Sequence, residues 1–73
     1  MQIAYDKDAD ALYIKLLEGD FQCRTVRVTE DIALDFAPGE QLVGIEVLGA
    51  SHLFKNPEAP LVELKHLLPR VVA

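Results

Sequence analysis

Aspartates cluster in the first turn of the chain, and carboxylate oxygens are the ligands that calcium prefers. The segment Asp6–Asp10 reads D-K-D-A-D, which matches the opening of a calcium-binding loop. Such a loop also needs glycine at its sixth position and glutamate at its twelfth, and this chain has Ala11 and Leu17 there. We therefore interpret Asp6–Asp10 as a turn whose side chains accept hydrogen bonds from nearby backbone N–H groups.

Four polar residues form a second candidate site: Tyr13, Arg27, Asp35 and Glu46. Strand alternation places them on one face of a sheet, with Arg27 near both carboxylates. Paired carboxylates can act as acid and base because each shifts the pKa of the other. However, no histidine lies nearby in the sequence, and no nucleophilic side chain is paired with a basic residue that could activate it. We expect no catalytic residue and interpret the four as a polar patch inside a binding interface. A small-ligand or enzymatic site at the same residues is the alternative.

Thiol and imidazole groups are too few to form a metal site. Cys23 is the single cysteine, and His52 and His66 lie far from it in the sequence. This spacing does not match the ligand pairs of zinc sites, and a lone cysteine cannot form a disulfide within the chain. We predict no metal and no cofactor.

The chain is acidic, with a formal net charge of −5, and it has no cluster of lysine and arginine. We therefore expect no contact with nucleic acid and no binding to an anionic membrane surface. No apolar run approaches the roughly 18 residues of a membrane span. A free cysteine and the lack of a basic-then-apolar leader predict a cytoplasmic protein.

Apolar residues alternate with polar ones along most of the first two thirds of the chain, which is typical of strands. The predicted strands are residues 2–5, 11–17, 21–29, 32–36 and 42–48. Turns at 18–20, 29–31 and 38–41 would join them as an antiparallel meander. In that register Tyr5 faces Leu12, Leu12 faces Val26, and Phe36 faces Val43, so that apolar residues meet on one face.

The apolar spacing changes after Gly49. A short helical turn is predicted at residues 50–55, and the spacing of leucines predicts a helix over Leu61–Leu68 that Pro69 ends. Eight residues are too few to hold a helix in water, so it must dock on the sheet of its own chain or of another copy. The predicted fold class is α+β, a small antiparallel β-meander of four to five strands with a C-terminal helix packed on one face. Residues 1–51 form the β-meander domain, and residues 52–73 are its helical extension.

Size and composition together predict self-association. The chain has 73 residues and a hydrophobic fraction of 51%, while a domain of this size has little interior in which to bury apolar side chains. The excess must face something, and a second copy is the simplest partner. We expect a homodimer that works as a non-enzymatic protein-interaction module and that also binds another protein.

Two stretches of the chain carry a resemblance to a known family. The first is Y-D-x-x-A-D-A-L-Y-I-x-L from Tyr5, and the second, after Asp35, is G-x-x-L-V-G-I-E-V-L-x-A-S from Gly39. Over about residues 1–51 the chain resembles the domain of unknown function 2283 family, whose members are short and mostly bacterial proteins. The resemblance implies a compact cytoplasmic fold and no established activity. Members are often encoded near small genes of toxin–antitoxin character, so an antitoxin-like partner of a small toxin is a further alternative.

Overall fold

Five strands and one 3-10 turn make up the part of the chain that the computed structural model describes, residues 1–56 and 62–65. In chain order these are β1 (Gln2–Asp6), β2 (Ala11–Lys15), β3 (Arg24–Arg27), β4 (Ile32–Ala37), β5 (Gln41–Leu48) and the 3-10 turn Ala50–Leu53. Every strand lies in a stretch where β-branched and aromatic residues alternate with others, and such residues favour extended backbone. β2 and β3 are shorter than predicted.

The strands form one antiparallel sheet in the order β1-β2-β5-β4-β3, so the predicted meander is wrong. Leu12 lies opposite Val47 of β5 and not opposite Val26 of β3. β3 lies at the far edge of the sheet, three strand spacings or about 14 Å from β2, and residues 16–23 make that connection. The prediction failed because strand alternation does not show which strands pair, and β5 takes the place that was given to β3.

Three of the pairings that the predicted register implies are confirmed. Tyr5 lies opposite Leu12, Val26 lies opposite Leu34, and Leu34 lies opposite Ile45. These pairs keep apolar side chains on one side of the sheet, and a shift by one residue would move each of them to the other side.

The turn between β4 and β5 differs from the prediction in one detail. It has three residues, 38–40, and both Gly39 (φ 84°) and Glu40 (φ 58°) have positive φ. Phe36 therefore lies opposite Leu42 instead of Val43, and a β-bulge between Asp35 and Phe36 leaves Val43 as an extra residue in β5. The shorter turn and the bulge offset each other, which is why the remaining register is as predicted.

The predicted α+β class is also wrong. Residues 1–56 and 62–65 contain a five-stranded sheet and one 3-10 turn, and no α-helix. Within the predicted helix Leu61–Leu68, residues 62–65 are not helical, and the others lie outside the described residues. Helix nucleation is costly, so an eight-residue segment stays helical only where packing supports it. The predicted turn at 50–55 is present in part, as Ala50–Leu53.

Strand alternation gives the sheet two different faces. The apolar face consists of Ile3, Tyr5, Leu12, Ile14, Val26, Ile32, Leu34, Ile45 and Val47. The polar face consists of Ala4, Tyr13, Lys15, Thr25, Arg27, Ala33, Asp35, Gly44 and Glu46.

The interior formed by the described residues is small. Its buried apolar residues are Ala33, Ala37, Val43, Val47 and Ala50. Three of these are alanines, and no large side chain in the described part of the chain is fully buried. On the apolar face only Val47 is buried. Most of the apolar face is therefore left uncovered by residues 1–56 and 62–65.

Candidate functional site

A carboxylate with two hydroxyl donors lies at the centre of the polar face. The Tyr13 hydroxyl donates to Oδ2 of Asp35 at 2.9 Å, and the Thr25 hydroxyl donates to Oδ1 of the same residue at 2.6 Å. These three residues come from β2, β3 and β4. Each oxygen of Asp35 therefore has a donor within the chain, and the contact links three strands through their side chains.

Gly44 makes the Tyr13–Asp35 contact possible. β5 lies between β2 and β4, so the Tyr13 side chain has to cross β5 to reach Asp35. It crosses at Gly44, where an added Cβ would overlap the hydroxyl oxygen and Cζ of Tyr13. Any larger residue at this position would block the path of the tyrosine ring.

The environment of Tyr13 keeps its hydroxyl protonated. Burial is the largest cause, followed by the hydrogen bond to Asp35 and the negative charges of Asp35 and Glu46, and together they raise the pKa of Tyr13 to about 12. At neutral pH the hydroxyl is therefore a hydrogen-bond donor and not a base. This chemistry is suited to holding a sheet together and not to abstracting a proton.

Arg27 and Glu46, the other two predicted site residues, do not join this cluster. Arg27 Nη1 donates to the backbone carbonyl of Glu30 at 2.9 Å, and within the described part of the chain Arg27 forms no ion pair with Asp35 or Glu46. Glu46 lies opposite Tyr13 in the sheet. The structure thus brings Tyr13 and Asp35 together and leaves Arg27 apart, and a binding role for the four stays a prediction.

A second cluster, which the sequence analysis missed, ties the first turn to the 3-10 turn. Asp10 Oδ1 accepts from the Tyr5 hydroxyl at 2.6 Å and from the Ser51 backbone N–H at 2.9 Å, and Asp10 Oδ2 accepts from the Ser51 hydroxyl at 2.6 Å. The Asp10 carbonyl also accepts from the Ala50 N–H at 3.1 Å. Asp10 has a positive φ of 49°, so these contacts hold it in a backbone conformation that is uncommon for a residue with a side chain.

The hydrogen bonds of Asp10 favour its charged form. The Ser51 hydroxyl contributes most, followed by the Tyr5 hydroxyl, and these with the Ser51 N–H and the nearby His52 lower the pKa of Asp10 although partial burial opposes the shift. The same hydrogen bond raises the pKa of Tyr5. The Tyr5 ring also packs edge-on against Phe54, with ring centroids 5.1 Å apart.

Of the two other aspartates in the first turn, Asp6 acts as predicted for a hydrogen-bonded turn. Asp6 Oδ1 accepts from the backbone N–H groups of Asp8 at 3.0 Å and Ala9 at 3.2 Å. Across residues 1–56 and 62–65, no group of three or more histidine, cysteine, aspartate and glutamate side chains is arranged to hold a metal ion. The acidic motif therefore builds the turn.

The apolar face carries an open groove at one side of the sheet, of about 470 Å³. Its lining residues are Ile3, Tyr5, Leu12, Ile14, Leu53, Phe54 and Val62. Within this lining the only polar side-chain group is the Tyr5 hydroxyl, which already donates to Asp10. The groove is suited to apolar side chains of a binding partner and offers little that could orient a polar ligand.

These features define a small protein built on a single antiparallel sheet, with one hydrogen-bonded face and one uncovered apolar face. The model of the family described as Protein of unknown function (DUF2283) matches residues 2–51, and the chain belongs to this family. The match covers all five strands. No curated protein and no solved structure matches the chain. None of the described residues forms a helix long and apolar enough to cross a membrane.

Replacing Gly44 with alanine tests the crossing of Tyr13. The new methyl group overlaps the tyrosine side chain, so we expect Gly44→Ala to lower the free energy of unfolding by about 1–3 kcal/mol. In a Tyr13→Ala background, Gly44→Ala should lower the free energy of unfolding by less. The difference between its effects in the two backgrounds, the coupling energy, should be roughly 0.5–3 kcal/mol. Urea denaturation at a fixed protein concentration measures both values. Tyr13→Phe is the matched control, because it removes the hydroxyl oxygen but keeps Cζ in the path of the new methyl group, and it should give less relief than Tyr13→Ala. Equal costs of Gly44→Ala in all backgrounds would contradict the crossing.

The acid stability of the protein tests the Asp10 cluster. Because folding lowers the pKa of Asp10 below its ordinary value of 3.8, its contribution to stability is fully present above about pH 4 and is lost as the pH falls through the lower folded value. Asp10→Asn should melt several degrees below the natural protein at pH 7. The two melting temperatures should converge as the pH is lowered from 4 towards 2.5.

The matched control for this pH series is Asp8→Asn. The Asp8 carboxylate is exposed and accepts no hydrogen bond from the described residues, so this variant should follow the natural protein over the whole pH range. A constant difference between Asp10→Asn and the natural protein at every pH would show that the charge of Asp10 does not contribute.

Proposed function

We propose that this protein is a non-enzymatic protein-interaction module that works as a homodimer, in which a second copy covers the apolar face. The single observation that carries this proposal is that residues 1–56 and 62–65 leave most of that face without a second layer. Of its nine residues only Val47, at 7% exposure, is buried. Ile3 is 37% exposed, and the central Ile14, Leu34 and Ile45 are half-buried.

The energetics of a single sheet favour such a partner. A sheet is stable when its apolar side packs on another layer, and sheets that pack face to face lie about 10 Å apart with interdigitating side chains. Among the described residues outside the strands, Leu53 of the 3-10 turn, Phe54 and Val62 line the groove at one side of the apolar face. A second copy would supply the missing layer over the rest.

The area of the apolar face is sufficient for a specific dimer. Five strands at about 4.8 Å spacing and roughly six residues of length give a projected area of roughly 480 Å² per copy. The accessible area is larger than the projected area because side chains protrude from the sheet. Two copies would therefore bury more than the roughly 800 Å² that most crystal contacts reach, and they would approach the range of specific interfaces.

The charge distribution is compatible with pairing of identical faces. The chain carries a net charge of −5, but none of the nine residues of the apolar face is charged. At its margin Arg24 forms an ion pair with Glu40 at 2.8 Å, and the Tyr5 hydroxyl is bonded to Asp10. Two apolar faces can therefore meet about a two-fold axis without placing like charges opposite each other.

The polar face supports a non-enzymatic role. Both carboxylate oxygens of Asp35 accept hydrogen bonds from hydroxyl groups of the same chain, and the raised pKa of Tyr13 keeps its hydroxyl protonated. General acid–base catalysis works best with a group whose pKa lies near the working pH, and Tyr13 is far from that value. We therefore assign this cluster to the stability of the sheet.

Sedimentation equilibrium of matched variants tests the proposal. The chain mass is 8.1 kDa, and we expect the natural protein to sediment at a multiple of that mass at micromolar concentration. Ile14→Lys places a charge in the middle of the apolar face and should halve the mass. Gln41→Lys places the same charge on an exposed position of the other side of the sheet and should leave the mass unchanged.

Circular dichroism shows whether each variant keeps its sheet. If Ile14→Lys does not fold, Ile14→Ala provides the second measurement, since loss of packing should raise the dissociation constant of the dimer while the sheet remains. A natural protein that sediments as a monomer of 8.1 kDa, or a folded Ile14→Lys variant of unchanged mass, would contradict the proposal.

A further inference from the structure

The two edge strands of the sheet are protected to very different degrees. Exposed edges invite pairing with other chains, and proteins usually guard them with charged residues, prolines, bulges or short strands. β3 has only four residues, and two of them are arginines. One of these, Arg24, is held by Glu40 and lies over the Phe36 ring at 5.3 Å. The β3 edge is therefore protected against pairing with another chain.

β1 has fewer of these features, and its one charged residue is Asp6 at its end. It has five residues, Q-I-A-Y-D, without lysine, arginine or proline, and its register with β2 is continuous from Gln2 to Asp6. No described strand lies on its outer side, and four of its five residues are exposed. The amino group of Met1 bonds to Glu18 at 3.2 Å, which fixes the start of the chain on its own molecule. Within residues 1–56 and 62–65, the outer side of β1 is therefore an open edge to which no other strand is paired.

We propose that β1 pairs antiparallel with β1 of another copy of this chain, about a two-fold axis at Ala4. This interface uses the edge of the sheet and is independent of the packing of apolar faces. In this register Gln2 lies opposite Asp6 of the other copy, and Ile3 lies opposite Tyr5 of the other copy.

The sequence of β1 is complementary to itself in this register. The Gln2 amide can donate to the Asp6 carboxylate of the other copy, so each negative charge meets a neutral donor. Ile3 and Tyr5 form a β-branched and aromatic pair, a type that stabilises adjacent strands. Registers centred on Ile3 or on Tyr5 would pair only three residues of β1 in each copy, whereas the register centred on Ala4 pairs all five.

Edge pairing would extend the apolar face across two copies. Residues that lie opposite each other in a sheet share a face, so Ile3 and Tyr5 of both copies would join one apolar surface on a ten-stranded sheet. If the apolar faces also pair, four chains close into one assembly with perpendicular two-fold axes, a common symmetry of soluble oligomers. Neither interface requires the other.

Cysteine cross-linking at the axis tests this pairing. In a Cys23→Ser background, Ala4→Cys places a thiol directly opposite its own copy, and opposed residues in paired strands lie about 4.5–5.5 Å apart. We expect mild oxidation or a short bis-maleimide to give a covalent dimer. Because Cys is close to Ala in size and Ala4 is exposed, the variant should fold, which circular dichroism can verify.

Gln2→Cys in the same background is the matched control. It lies on the same strand and the same side of the sheet, but in the proposed register it is about 14 Å along the strand from its own copy. We expect Ala4→Cys to cross-link roughly tenfold faster or more, because pairing raises the local thiol concentration. Equal rates for the two variants would overturn the edge pairing.

The two proposed interfaces predict different results in these measurements, so each can be contradicted without the other. One outcome is that Ala4→Cys cross-links rapidly while Ile14→Lys keeps the mass of the natural protein. This outcome supports the edge pairing and contradicts the packing of apolar faces. The opposite outcome is that Ile14→Lys halves the mass while Ala4→Cys cross-links no faster than Gln2→Cys. This outcome supports the face packing and contradicts the edge pairing.

Discussion

A sheet one layer thick has two faces, and the described residues of this chain place no second layer over most of the apolar one. On the polar face, Tyr13 lies across β5 and covers Gly44, while Asp35 accepts hydrogen bonds from both Tyr13 and Thr25 and so links three strands. On the other face nine apolar positions follow one another across all five strands with little above them. Burial of that face would stabilise the molecule, and the proposed homodimer depends on it.

The ends of the described domain are joined by a second interaction, which fixes the boundary of the sheet. Asp10 follows β1 in the chain and Ser51 follows β5, and their side chains meet although they are 41 residues apart. Since Tyr5 bonds to the same carboxylate and its ring packs on Phe54, the first turn, the edge strand and the 3-10 turn form one unit. This unit holds the groove of the apolar face in shape, and it places β1 at the open edge.

Much of this architecture follows from the sequence, and the parts that do not have physical reasons. Local alternation predicted all five strands and the hairpin pairings of Tyr5 with Leu12 and of Val26 with Leu34, because neighbouring strands in a hairpin must match their apolar sides. It could not show that β5 inserts between β2 and β4, since non-local pairing depends on how well whole strands pack. The meander and the C-terminal helix were wrong for that reason and because a short helical pattern is not stable by itself.

The candidate site shows the same division between local and non-local information. That Tyr13 and Asp35 share a face was predictable from alternation, but the crossing at Gly44 depends on β5 lying between them. Arg27 was expected near Asp35 and instead bonds to Glu30 in its own turn, a local contact that competes with the cross-strand ion pair. Asp10 and Ser51 both lie in the stretches that resemble the family, yet only the fold shows that they meet.

The cover over the apolar face can be observed directly by isotope-filtered nuclear Overhauser spectroscopy on a sample that mixes labelled and unlabelled chains. If a second copy covers this face, methyl groups of Ile14, Leu34 and Ile45 in the labelled chain will show contacts to apolar side chains of the unlabelled chain. If these methyl groups show contacts only within their own chain, at a concentration where the protein is not monomeric, the central claim is contradicted.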